Sequence, residues 1–424
     1  MLRIRSKRWV FCSSWVLLII FFSLLVHTPV ATAATVDEIH SSLDKLRGYY
    51  NQVGECNDWE TLGLRWAGVE CSSKYTPENA VSASDYARKI MGAIAGRQAE
   101  AGINNDISTL IGMQKTAGDT KGSFINGDNT SLNQTIWAVI ALDFAKTNGF
   151  TADYQRDDAV SYICSNQDAG GGFDESGWGV DVDSTTHALI ALAADYNQAG
   201  KEECTTTVNK ALTYLQQQQM DTGGFGGWGS ESPDSIAAVI EALMALSKNP
   251  FAEDWIKNGN NMVDALLAYQ SGQGWFVYSW EASGWNDPTV PNQMSTYHSL
   301  LALGDLVQGQ SKYRNLLPET NGLCFTLQPA DSFNLGNDAN MSFLLDNKGN
   351  NSIAVLIAAG LFDTSNEHQL TLTSLSKTLL AGESVDFGSA FTIPAGGSYE
   401  VRVFVWDNWN DKNSLLVPSF IPVQ

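Results

Sequence analysis

Residues Lys210 to Phe225 read K-A-L-T-Y-L-Q-Q-Q-Q-M-D-T-G-G-F. Tyr214-Leu215 is followed at fixed offsets by Gln219, Gly223 and Phe225. The same punctuation occurs about fifty residues earlier as Tyr162-Ile163, Gln167, Gly171 and Phe173. This pattern describes a helix that ends at the Gln and enters a turn whose glycines accept positive φ. The aromatic folds back over the helix end. Asp264 to Trp275 reads as a degenerate third copy, one residue short between Gln270 and Trp275, and Met113-Gln114 to Phe124 as a looser fourth. A repeat of this length predicts stacked helical units that bury one another.

Between these turns lie segments that are apolar nearly all round, each entered through Asp, Asn or Ser as N-cap. Their cores align as Trp137 to Leu142, His187 to Leu192, Ala238 to Leu243 and His298 to Leu303. The pattern predicts outer helices near 36–52, 105–115, 156–167, 205–219 and 254–270. Inner helices are predicted near 84–96, 132–147, 183–197, 234–247 and 294–308. After Pro318 the period changes to that of strands, with turn signals such as Asn347-Lys-Gly-Asn350 and Pro394-Ala-Gly-Gly397. About seven short strands over 319–424 predict a β-sandwich.

Residues 1–33 carry Arg3, Arg5, Lys7 and Arg8, then an apolar stretch from Trp9 to Val26, then Ala31-Thr32-Ala33. That is the pattern of a cleaved secretory leader, and it predicts a secreted or cell-surface protein. The membrane enters only if this segment stays as an anchor. Its removal leaves 46 acidic against 21 basic residues, a net charge of −25, which excludes nucleic acid as a partner. Acidic loops could hold Ca²⁺, but none has EF-hand spacing. Five cysteines remain. Export permits disulfides, and Cys56–Cys71, flanking a loop with Trp59 and Trp66, and Cys164–Cys204 are the expected pairs, with Cys324 left over. No metal site and no cofactor is evident from the residues.

The stretch Lys210–Phe225 resembles the "QW" motif of the terpene cyclase and protein prenyltransferase superfamily, with Phe225 at the Trp position. The resemblance implies an α/α toroid of five or six helical hairpins over 34–318. Because the motif is structural, it implies a fold rather than an activity. The run Lys377 to Asp407 resembles the Ig-like modules of bacterial surface proteins, which present other domains. Asp181-Val-Asp183-Ser184-Thr185 resembles the Asp-x-Asp-Asp-Thr motif of class II terpene cyclases. Carried across, Asp183 is the proton donor and Asp181 its helper, although Ser184 replaces the last Asp. Asp234-Ser235 stands at the same place in the next repeat, so a recurring N-cap is the competing and favoured reading of Asp183.

His187 and His298 occupy aligned positions on two inner helices and are expected to face the central cavity, Tyr297 beside the latter. They are too few for a closed zinc site. Trp137, Trp178 and Trp228 add an aromatic lining suited to a polycyclic, isoprenoid, corrinoid or sugar ligand, a corrinoid by analogy only. The expected function is therefore a secreted toroid that captures a hydrophobic small molecule or a surface partner without catalysis. The alternative is a cyclase- or prenyltransferase-like enzyme using Asp183. A polysaccharide-processing toroid ranks third, since no base-and-arginine cluster is visible.

Overall fold

The computed structural model describes residues 34–125, 131–227, 230–328, 334–366 and 368–423; the leader and Trp228 lie outside them. Among the described residues, eleven α-helices precede a β-rich region. Six of them, α2 (Asp58–Trp66), α3 (Ala83–Ala95), α5 (Leu132–Thr147), α7 (Val182–Leu192), α9 (Pro233–Ala245) and α11 (Gln293–Gln308), pack in sequence, and α11 returns to α2. They form a closed cycle, and their N-termini share one end. Ser84 of α3 meets Gln134 of α5, and Glu60 of α2 meets Gln293 of α11. Behind them stand α1 (Val36–Asn51), α4 (Glu100–Gly112), α6 (Arg156–Ser165), α8 (Glu202–Gln218) and α10 (Met262–Leu267).

Two expectations are corrected here. The segment between Cys56 and Cys71 is not a loop but the inner helix α2, started by an Asn57–Glu60 capping box. It is too short for the helical period to stand out. Conversely, 254–270 is not one helix. A 3₁₀ turn at Glu253–Trp255 leads to a small hairpin, β1 (Ile256–Lys257) and β2 (Asn260–Asn261), and only then to α10. Asn258 and Gly259, both at positive φ, make the turn that breaks the helix.

The repeated Gln explains the ring. Gln167 Nε2 donates to the carbonyl of Gly171 in its own turn and to that of Thr207 on the next outer helix, both at 2.8 Å. Gln219 does the same with Gly223 and Trp255, also at 2.8 Å. Gln114 reaches Gly122 and Gln155 at 3.4 and 2.9 Å. The last, Gln270, reaches Gly274 at 3.0 Å and Ser42 of the first helix at 2.9 Å, so the seam is closed by the same clamp that Gln114, Gln167 and Gln219 make. The third copy is thus not one residue short. Phe276, fully buried, holds the aromatic position, and its N–H donates to Thr296 Oγ1 as Phe173 does to Thr185 and Phe124 to Thr135.

Seven strands follow: β3 (Leu323–Gln328), β4 (Asp338–Asn347), β5 (Ile353–Asp363), β6 (His368–Leu379), β7 (Ser384–Thr392), β8 (Tyr399–Trp406) and β9 (Ser414–Pro422). They form two antiparallel sheets, ordered β3-β4-β7 and β6-β5-β8-β9. Alternate residues such as Phe343, Phe387, Ile357 and Val403 meet in a second hydrophobic core, separate from that of the helices. Helix α1 rests on β9, where Asn51 Nδ2 donates to Ser419 Oγ at 2.7 Å.

Neither expected disulfide is present. Cys56, Cys71, Cys164, Cys204 and Cys324 are all buried free thiols. Cys71 Sγ is turned toward the Thr61 carbonyl and Cys204 Sγ toward that of Leu192, each at 3.6 Å.

Candidate functional site

The sequence places Asp181 and Asp183 at the start of α7, and the structure separates their roles. Asp181 is the N-cap: its Oδ1 accepts the Ser184 N–H at 2.7 Å. Asp183 caps nothing. It is half-buried, and its Oδ1 is enclosed with no hydrogen-bond partner among the described residues. The favoured reading of Asp183 as a cap is therefore wrong, because the helix is capped two residues earlier, at Asp181, than its repeat alignment implies. Asp234 on α9 is in the same state: Ser232 is the cap, and Asp234 Oδ1 is likewise enclosed.

Burial raises the Asp183 pKa, opposed by the Ser235 hydroxyl and by His187, and reinforced by Asp181 and Glu175. One turn along α7, His187 Nδ1 lies 3.0 Å from Glu175 Oε1. Burial works against charging His187, but Glu175, then Asp183 and Glu241, outweigh it and hold its pKa up at about 9. At pH 7 the site therefore contains an imidazolium, held by Glu175, beside an Asp183 carboxyl whose ionisation is disfavoured by burial. Glu175 is 9% exposed, and its second oxygen is unpartnered. Sequence reasoning missed it because it lies in an irregular turn ahead of the helix.

Further inside, Trp137 packs edge-on against Trp59 at 5.0 Å and tilted against His187 at 4.7 Å. His298, Glu241 and Tyr313 complete the lining of the ring centre. Burial drives the His298 pKa down to about 4, so this ring is neutral. Glu241 accepts from Tyr313 Oη at 2.9 Å and pairs with Lys312 Nζ at 2.8 Å, and Lys312 also pairs with Asp305 at 3.1 Å. The remaining cavity is about 10 Å³, room for about one water. Ligand pockets run to several hundred Å³, far more than the space between these side chains. Glu241 was legible as the one acid in the apolar run Ile236 to Ala245 of α9. Lys312 and Tyr313 sit in a 3₁₀ turn with no periodicity to mark them.

Tyr297 does not line the centre. Trp178 is 79% exposed in the loop before α7, and Trp280 and Trp285 are 51% and 72% exposed in the loop before α11. These rings crowd the same end of the ring as Asp183. No group of three or more His, Cys, Asp or Glu side chains among the described residues could hold a metal, and none of the described helices is long and apolar enough to cross a membrane.

The titrations predict a stability that falls with pH. Burial, with Asp183 adding, lifts Asp234 to about 7, so its folded pKa lies above the unfolded value near 3.8. Stability is then lost as pH rises from about 4 to 7. His187 adds a loss as pH rises from 6.5 through about 9, whereas neutral His298 gains stability between about 4 and 6.5. Asp234→Asn should raise the melting temperature at pH 8 by a few degrees, on the order of 1 kcal/mol, and change it little at pH 4. An equal shift at both pH values would contradict the raised pKa.

No protein-family profile matches the sequence, and no curated protein does. Among solved structures, the type II terpene cyclase MstE from Scytonema aligns over 65% of this chain and 98% of its own, at 12% identity and a TM-score of 0.45. The ent-copalyl diphosphate synthase from Streptomyces platensis aligns over 63% of this chain and 50% of its own, at 16% identity and a TM-score of 0.37. In the β-rich region a CARDB domain from Pyrococcus furiosus aligns over 24% of this chain and 93% of its own, at 15% identity and a TM-score of 0.20.

Proposed function

We propose that the helical region is an α/α toroid of terpene-cyclase type in which Asp183 serves as a Brønsted acid toward an alkene-bearing hydrophobic substrate. The β-rich region is then a non-catalytic Ig-like module, and residues 1–33 a secretory leader. The observation that carries the reading is the Asp183 carboxyl: it caps no backbone, its Oδ1 is enclosed and unpartnered, and a charged His187 stands one turn along. A carboxyl whose ionisation is disfavoured by burial, yet which lies near a cation once it ionises, is suited to giving its proton to a weak base. In that step the Asp183 O–H bond breaks and a C–H bond forms at one alkene carbon. The cation at the other carbon is met by a neighbouring π bond of the same substrate. Asp181 fixes the start of α7 and so positions Asp183. The Trp59, Trp137 and Tyr313 rings offer π faces to the developing cation, and they must part to admit a substrate.

The filled centre favours a second reading, in which the toroid is a carrier or docking module and the exposed Trp178, Trp280 and Trp285 contact its ligand or partner. One experiment separates the two. The full chain is incubated with squalene, geranylgeraniol and geranylgeranyl diphosphate, and products are read by mass spectrometry. The acid reading expects a cyclised product from at least one of them. It also expects that yield to fall by a factor of about 10² or more in Asp183→Asn at unchanged melting temperature. Turnover retained by Asp183→Asn removes Asp183 from the chemistry, and no product from the intact chain leaves the carrier reading.

A further inference from the structure

A second cavity lies elsewhere. A cleft of about 480 Å³ opens at the C-terminal ends of α9 and α11, the opposite end of the ring from Asp183. Met244, Phe251 and Leu306 supply its apolar surface, and Lys248 and Arg314 its charge. No Asp or Glu lines it, in a chain with 46 acidic residues against 25 basic. Neither cation is ion-paired among the described residues. Lys248 Nζ lies 5.3 Å from the centre of the Tyr196 ring, and Arg314 Nη1 donates to the Ala245 carbonyl at 2.7 Å. Asp143 and Asp195, the acids whose fields reach Arg314, are themselves held by Arg156 at 2.8 and 2.6 Å.

Helix C-termini normally repel anions through their free carbonyls. Here most of those carbonyls are engaged. On α9, Ala242 accepts from Leu246 N, Leu243 from Lys248 N, Met244 from Ser247 N and Ala245 from Arg314. On α11, Asp305 and Leu306 accept from Gln310 and Gly309. What remains directed at the cleft is positive charge over an apolar floor.

We propose that this cleft is a second ligand site, for a small amphiphilic anion whose phosphate or carboxylate meets Lys248 and Arg314 and whose apolar part lies on Phe251, Leu306 and Met244. Arg presents the forked donors that match such oxyanions, and Lys adds a point charge. The site is independent of the acid chemistry proposed for Asp183.

Phenyl phosphate and benzoate are the probes, with benzyl alcohol as the uncharged control, titrated into the full chain by calorimetry. Saturable binding of at least one anion is expected, with a Kd on the order of 1 mM or tighter. It should weaken several-fold in Lys248→Gln, at least tenfold in Lys248→Gln/Arg314→Gln, and with added salt, while Asp183→Asn leaves it unchanged. Lys248→Gln touches no backbone contact, so it keeps the test valid if the Arg314 change loosens the end of α9. Absence of saturable binding of both anions, equal binding of benzyl alcohol, or full affinity in the Lys248 and double variants overturns the site.

Discussion

Lys312→Met should cost about 3–5 kcal/mol at pH 7, measured by denaturant unfolding followed by near-ultraviolet circular dichroism. The ammonium is wholly buried and neutralises Glu241 at 2.8 Å and Asp305 at 3.1 Å, two carboxylates with almost no contact with water. Removing it leaves both facing each other's charge in a medium that solvates neither. Burial already lifts the Asp305 pKa, with Lys312 the main group opposing that rise, so losing the Lys drives Asp305 toward the protonated state. The penalty should therefore shrink at pH 5. A Lys312→Met/Asp305→Leu/Glu241→Gln variant should regain much of the loss, because it removes the orphaned charges as well. A single Lys312→Met variant as stable as the parent at pH 7 would show that the triad is not charged in the folded protein.

Gly274→Ala should open the ring at its seam. Gly274 sits at φ +98°, where a side chain is strained, and a Cβ there would lie 2.2 Å from the carbonyl oxygen of Lys45 on α1. Backbone cannot give way as a flexible side chain can. Strain of about 1–2 kcal/mol adds to the overlap, and a total above about 3 kcal/mol is expected. Hydrogen exchange should then quicken first over Val36–Asn51, which loses the Gln270 clamp on Ser42. Gly272, two residues away, has open space and no positive φ. Its Ala variant should differ little from the parent, and equal effects at the two positions would argue against the seam.

The parts legible in the sequence were those with one local cause. Ten of the helices announced themselves through apolar period or the Gln–Gly punctuation. The strands after Leu323 were readable because one face alternates into a core. What escaped was set by neighbours distant in sequence. Nothing within Asp58–Trp66 says that it completes an inner cycle, since its partners are α3 and α11. The role of Asp183 turned on two residues of helix register, which alignment between repeats cannot resolve when Asp181 and Asp183 are both able to cap. The centre was expected to be open, with His187, His298, Trp137, Trp178 and Trp228 around it. Trp59 and Tyr313, which help fill it, come from outside that alignment.

Each Gln clamp seizes its neighbour by a main-chain oxygen, so the seized residue has no chemistry to preserve: Gln155, Thr207, Trp255 and Ser42 do the same job. Half of every joint is thus invisible to selection on side chains and free to drift, while the Gln–Gly half is held fixed. Such a joint also does not know which unit it faces. A duplicated or deleted helical pair would find its clamps satisfied on both sides, and ring size would be limited only by the packing of the centre. Here that limit is a tightly filled core of Trp59, Trp137 and Tyr313, which would lose its fit with any other number of inner helices.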